Sequence, residues 1–143
     1  RAREGAKMKA LILERLAEIQ SLVAKVKPLL PEQVKEYQSR LTAKLQDALN
    51  SVDEERVRQE LVLFAQRIDV DEELTRLTAH VAEVKRILDD NKLAGKRLDF
   101  LMQELNREAN TLGSKSVSVE TSQASMSLKV LIEQMREQIQ NIE

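Results

Sequence analysis

The residues best equipped for chemistry in this 143-residue chain are its only histidine, His80, and three glutamates, Glu73, Glu104 and Glu108. Glu104 and Glu108 are four residues apart, so on a helix they share one flank. Two like charges at that spacing repel unless a cation or an arginine lies between them. A hard divalent ion of the Mg²⁺ or Mn²⁺ type takes such oxygen ligands and tolerates an imidazole beside them. Glu73 precedes His80 by two helical turns, within about 20° around the helix but roughly 10 Å along it. That is too far for both to grip one ion unless a second helix supplies bridging ligands, which Glu104 and Glu108 can do. Ordinary uses fit the same residues. His80 also reads as a border histidine hydrogen-bonded to a carboxylate, and Glu104 and Glu108 as a face salt-bridged to Arg97, Arg107 or Arg76. The spacing is not diagnostic in the way HExxH or CxxC is.

Cations gather at Lys92, Lys96 and Arg97, and again at Arg107 and Lys115, where they can meet phosphates or simply be solvated. Asn106 and Asn110 fall on the flank opposite Glu104. Asparagine is a poor helix former because its amide competes for backbone groups, so these two suit hydrogen bonding to a nucleotide or to a neighbouring helix. Gly-rich phosphate loops, Ser-His-Asp sets and zinc motifs are absent.

The element that must carry Glu104 and Glu108 is Gly95 to Lys115, GKRLDFLMQELNREANTLGSK. Leu98, Leu101, Met102, Leu105, Ala109 and Leu112 recur at spacings of mostly three and four, one buried stripe about 100° wide. Phe100 projects roughly opposite that stripe and needs another partner. Gly113 reads as a left-handed C-cap. Glu73 and His80 ride on a helix from Asp69 to about Asp90, with Leu74, Leu77, Val81, Val84 and Leu88 as its seam. Asp69 and Glu72 have the spacing of a capping box.

Upstream, Ile12, Leu16, Ile19, Val23 and Val26 mark a helix over about 3–27 with heptad rhythm. Val34, Tyr37, Leu41, Leu45 and Ala48 mark another over about 31–50, with Pro31 in its first turn. The short Pro-Leu-Leu-Pro connection suggests that these two form an antiparallel hairpin. Asp53 is placed to N-cap a third helix carrying Val57, Leu61, Phe64 and Ile68. Ser114 to Ser118 form a loop, and a last helix over about 119–141 carries Leu128, Leu131, Met135, Ile139 and Ile142. No segment has strand periodicity. The expected fold is all-α: a long antiparallel helical hairpin, residues 1–51, serving as a scaffold or oligomerisation arm, plus a C-terminal bundle of about four helices over 52–143.

Net charge is −1, so no global basic field draws in RNA or membranes and any nucleic-acid affinity is local. The absence of cysteine excludes disulfides and thiolate metal sites and fits a reducing cytoplasm. No apolar run reaches membrane-span length and no signal peptide is visible. Tyr37, Phe64 and Phe100 are the only aromatic residues, so RNA contact would lean on Arg, Lys and amides more than on stacking. Opening at Arg1 directly in a helical pattern, the chain reads as part of something longer.

The run GKRLDFLMQELNREANTLGSK followed by LKVLIEQMREQIQNIE closely resembles the C-terminal signature of the YicC/YloC family of bacterial endoribonucleases. VDEERVRQELVLFAQRIDVDEELTRLTAH resembles the segment before it, whereas SVSVETSQASMS, residues 116–127, departs from the family's loop. The resemblance implies a divalent-metal-dependent (Mn²⁺ or Mg²⁺) cytoplasmic endoribonuclease acting on single-stranded RNA. It also implies an N-terminal domain of similar size and assembly as a homo-oligomer, a hexamer. Metal ligation would then fall to Glu73, His80, Glu104 and Glu108, with Glu104 and Glu108 as the catalytic carboxylates. RNA contact would fall to Arg76, Arg97, Arg107, Lys115, Asn106 and Asn110. The competing expectation is a non-catalytic helical oligomerisation module, or an adaptor that binds a small regulatory RNA and recruits another nuclease.

Overall fold

The computed structural model describes residues 2–50, 53–67, 69–90, 95–116 and 118–142. These form α1 (Ala2–Val26), a 3₁₀ turn (Lys27–Leu29), α2 (Leu30–Asn50), α3 (Glu54–Arg67), α4 (Val70–Asp89), α5 (Gly95–Ser114) and α6 (Val119–Ile142). Among the described residues there is no strand. The all-α expectation holds, and the helix bounds fall within a residue or two of those read from periodicity.

One core joins α1, α4, α5 and α6. Ile12, Leu16 and Ile19 of α1, Leu74, Leu77 and Val81 of α4, the whole α5 stripe, and Leu128, Ile132 and Met135 of α6 are all essentially solvent-free. Each such side chain withdrawn from water stabilises the fold by about 1.5–3 kcal/mol before entropy is counted. Consecutive helices α4, α5 and α6 pack on one another, and α1 lies against α6 and α4.

The hairpin is made by a different pair from the one expected. Pro28 puts the connection into a 3₁₀ turn, with right-handed helical backbone at Val26 and Leu30 on either side. Nothing there folds α2 back along α1. Instead α2 pairs with α3, burying Leu41 and Ala48 and stacking Tyr37 on Phe64 with ring centroids 6.0 Å apart. The Asp53 carboxylate accepts the Arg56 backbone N–H at 3.1 Å, the expected N-cap of α3. Ile68 and the break at 91–94 lie outside the described residues.

Two local expectations fail for identifiable reasons. Asp69 does precede α4, but with φ −91° and ψ 19° it lacks the extended backbone that aims a capping side chain, and it makes no side-chain cap bond. Gly113 is not a left-handed cap either, because α5 continues through it to Ser114. Its role is close approach: a Cβ there would stand 2.6 Å from Ser125 Oγ on α6. That hydroxyl donates to the Ala109 carbonyl at 2.6 Å, so α5 and α6 meet backbone to side chain at this level. The Ser118 hydroxyl opens α6, accepting the Thr121 N–H and donating to Thr121 Oγ1, which in turn donates to Gln33 of α2.

Candidate metal and phosphate site on helices α4 and α5

Antiparallel packing of α4 on α5 brings His80 to Glu108 and Glu73 to Lys115. His80 Nδ1 lies 2.6 Å from both Glu108 oxygens. Glu108 is only 4% exposed although it sits on the flank of the apolar stripe, because α4 covers it. Its neighbour one turn back, Glu104, completes a group: one ligand atom from each of His80, Glu104 and Glu108 falls within 4.8 Å of the others. Among the described residues, no lysine or arginine forms an ion pair with Glu104 or Glu108.

Burial pushes the Glu108 carboxyl above its ordinary range. The His80 hydrogen bond pulls it back, and the nearby charges of Glu104 and Glu73 push it up again. An ionised Glu108 carboxylate can only accept, so in that state the Nδ1–H of His80 donates to it. A buried carboxylate beside a second carboxylate, with an imidazole as its hydrogen-bond partner, is a donor set that a hard divalent cation fits.

Glu73 is equally buried, at 4% exposure, and does something else. It accepts from Lys115 Nζ at 3.2 Å and from Arg76 Nη1 at 3.2 and 3.4 Å, while Arg76 Nη2 also reaches Glu72. So Glu73, with two cations of its own, stands outside the three-residue group. Glu73, Arg76, Glu104, Arg107, Glu108 and Thr111 line one cavity of about 210 Å³. Carboxylates form one part of its wall and Arg76 and Arg107 another, which suits a phosphate held next to a cation.

Of the residues singled out for RNA, Arg76, Arg107 and Lys115 therefore gather around this cavity or its Glu73 wall. Arg97 does not; its guanidinium lies 5.4 Å from the centroid of the Phe100 ring. Asn106 and Asn110 are exposed on the far side of α5, away from the cavity. Thr111 was passed over in the sequence. Its signal was spacing, since it follows Glu104 by seven and Glu108 by three residues on the same face.

The family model for the C-terminal domain of YicC-like endoribonucleases matches residues 26–143. The chain belongs to this family. It is 49% identical over 143 residues to a probable endoribonuclease YicC of Haemophilus influenzae, covering all of this chain and 50% of that protein. A probable endoribonuclease YicC of Clostridioides difficile is 32% identical over 146 residues, again covering all of this chain and 50% of that protein. The chain thus spans about half the length of the curated relatives it matches. The match with the YicC-like family includes both helices of the site, and all of Glu73, His80, Glu104 and Glu108 fall inside it. Among the described residues no helix is long and apolar enough to cross a membrane.

Proposed function

We propose that this chain is the C-terminal helical portion of a divalent-metal-dependent endoribonuclease that hydrolyses single-stranded RNA. The observation that carries the reading is the meeting of His80, Glu104 and Glu108 beside Arg76 and Arg107, with no lysine or arginine, among the described residues, ion-paired to either carboxylate of the trio. Bound there, Mn²⁺ or Mg²⁺ would polarise a phosphoryl oxygen and lower the pKa of water. Glu104 and Glu108 hold it, and His80, its Nδ1–H donated to Glu108, orients that carboxylate. Arg76 and Arg107, which line the same cavity, bind the phosphate. Glu73 enters as the anion that fixes Arg76 and Lys115, in place of a fourth ligand.

The test is cleavage of an internally labelled single-stranded RNA by the full protein, in Mn²⁺ and in excess EDTA. Chelator-sensitive cleavage is expected, lost in a Glu104→Gln, Glu108→Gln double variant of unchanged helicity. Cleavage that survives EDTA, or full activity in the double variant, would overturn the reading.

A second reading has its own support. Leu49 of α2 and Leu61, Val62 and Leu63 of α3 are large apolar side chains left 39–65% exposed. They suit a helical module that assembles with copies of itself, in line with the hexamer the family resemblance implies, or with an N-terminal domain. An assembly or adaptor module without catalysis would oligomerise or bind RNA in EDTA and leave that RNA intact in Mn²⁺.

A further inference from the structure

Phe100 is 47% exposed, whereas the other two aromatic rings of the chain stack on each other. At about 100° per residue, Arg97, Phe100, Glu104, Arg107, Glu108 and Thr111 occupy one arc of α5 roughly 100° wide. The last four line the carboxylate–arginine cavity. Phe100 sits one turn before Glu104, about 6 Å along the helix axis, a separation comparable to one nucleotide step of an unstacked strand.

The geometry points to Phe100 as a nucleobase subsite: an unpaired base of an RNA strand stacks on its ring while the adjoining phosphate enters the cavity lined by Arg76, Glu104, Arg107 and Glu108. The inference rests on that cavity being where an RNA phosphate binds. The ring's helical neighbours favour a base over a protein partner. Lys96, Arg97, Gln103 and Glu104, at three and four residues on either side, are all polar, and the first three are exposed. A protein interface built on Phe100 would call for apolar companions around it. A single ring among cations and amides suits a base, whose π-face needs only the ring and whose phosphate needs the cations. Arg97 over the ring orders it beforehand and supplies one such cation.

The experiment measures binding of the full protein to a short single-stranded RNA in EDTA, where no cleavage competes, with single abasic sites placed in turn along the strand. Phe100→Leu is expected to weaken binding to the intact RNA by about 5- to 150-fold, and Phe100→Trp to retain it. At one abasic position the wild type should fall to the level of Phe100→Leu, and the substitution there should cost nothing further. Equal affinity of Phe100→Leu and wild type for intact RNA would overturn the inference. So would a loss that is the same on every abasic strand, or a changed oligomeric mass with unchanged RNA affinity, which would mark Phe100 as a protein contact. Wild-type protein that binds RNA with this pattern but does not cut it in Mn²⁺ would sink the nuclease reading and leave the base subsite standing. Cleavage by both proteins with equal RNA affinity would sink the subsite alone.

Discussion

His80 Nδ1 on α4 and the Glu108 carboxylate on α5 face each other at 2.6 Å, joining the two helices of the candidate site. Without His80, a carboxylate that is 4% exposed loses its charge-assisted donor. His80→Ala is expected to destabilise the fold by about 1–3 kcal/mol. Mn²⁺ affinity should fall as well, roughly 10- to 100-fold if the imidazole acts by orienting Glu108. Chemical denaturation in EDTA and Mn²⁺ titration of the same variant read the two effects separately. Unchanged stability would mean that water replaces the imidazole.

The pH dependence of stability follows from the same carboxyl. Burial raises the folded-state pKa of Glu108 above its unfolded value of 4.5, so the folded state holds the proton more firmly. That contribution is fully present below pH 4.5 and is lost as pH rises through the raised folded value. In EDTA the melting temperature should therefore carry a downward component over that window, absent in Glu108→Gln. Divalent metal binds the deprotonated form, so Mn²⁺ should oppose the fall, adding about 2.7 kcal/mol at a hundredfold excess over Kd. A wild-type pH profile identical to that of Glu108→Gln would remove Glu108 as the cause.

Glu73 separates positioning from ligation. Glu73→Gln leaves Lys115 and Arg76 without their shared anion, at an expected cost of about 1–2 kcal/mol, since both cations are partly exposed. Its Mn²⁺ affinity should match wild type while KM for RNA rises and the salt dependence of RNA binding flattens. A loss of metal affinity comparable to that of Glu108→Gln would return Glu73 to the ligand set.

Gly113→Ala drives a methyl into Ser125 Oγ, and Ser125 is held by its bond to the Ala109 carbonyl. Overpacking of this kind costs about 1–3 kcal/mol. In a double-mutant cycle, Ser125→Ala should recover part of that loss, with a coupling of at least about 0.5 kcal/mol. Strict additivity would show that α5 and α6 separate freely at this level.

Periodicity made the helices legible because α1, α4, α5 and α6 each bury a stripe at spacings of three and four, and those stripes, in α6 as far as Ile139, form the core, whereas Leu61 of the α3 stripe is 49% exposed. Helix pairing was not legible. A Pro-Leu-Leu-Pro segment is compatible with a reversal or with a 3₁₀ step, and only the docking of α1 on α6 decides between them. The joining of His80 to Glu104 and Glu108 across two helices was visible in the sequence, whereas the separation of Glu73 from that group was not. Glu73 and Glu108 look alike in sequence, and each takes its role from what the antiparallel partner helix places opposite it: Lys115 for one, His80 for the other. Gly113 carried a signal that pointed the wrong way, since glycine serves both to cap a helix and to let one approach, and the latter depends on a serine twelve residues further on.

Both sides of the His80–Glu108 pair belong to helices that are neighbours along the chain, whereas α1 must find α6 from the opposite end of the sequence. Closing a short loop costs less entropy than closing a long one, and local pairings form sooner. The carboxylates and the imidazole can therefore be brought together by α4 and α5 before α1 arrives to seal the bundle. During synthesis the constellation takes shape once α5 has emerged, with α1 already made and waiting for α6.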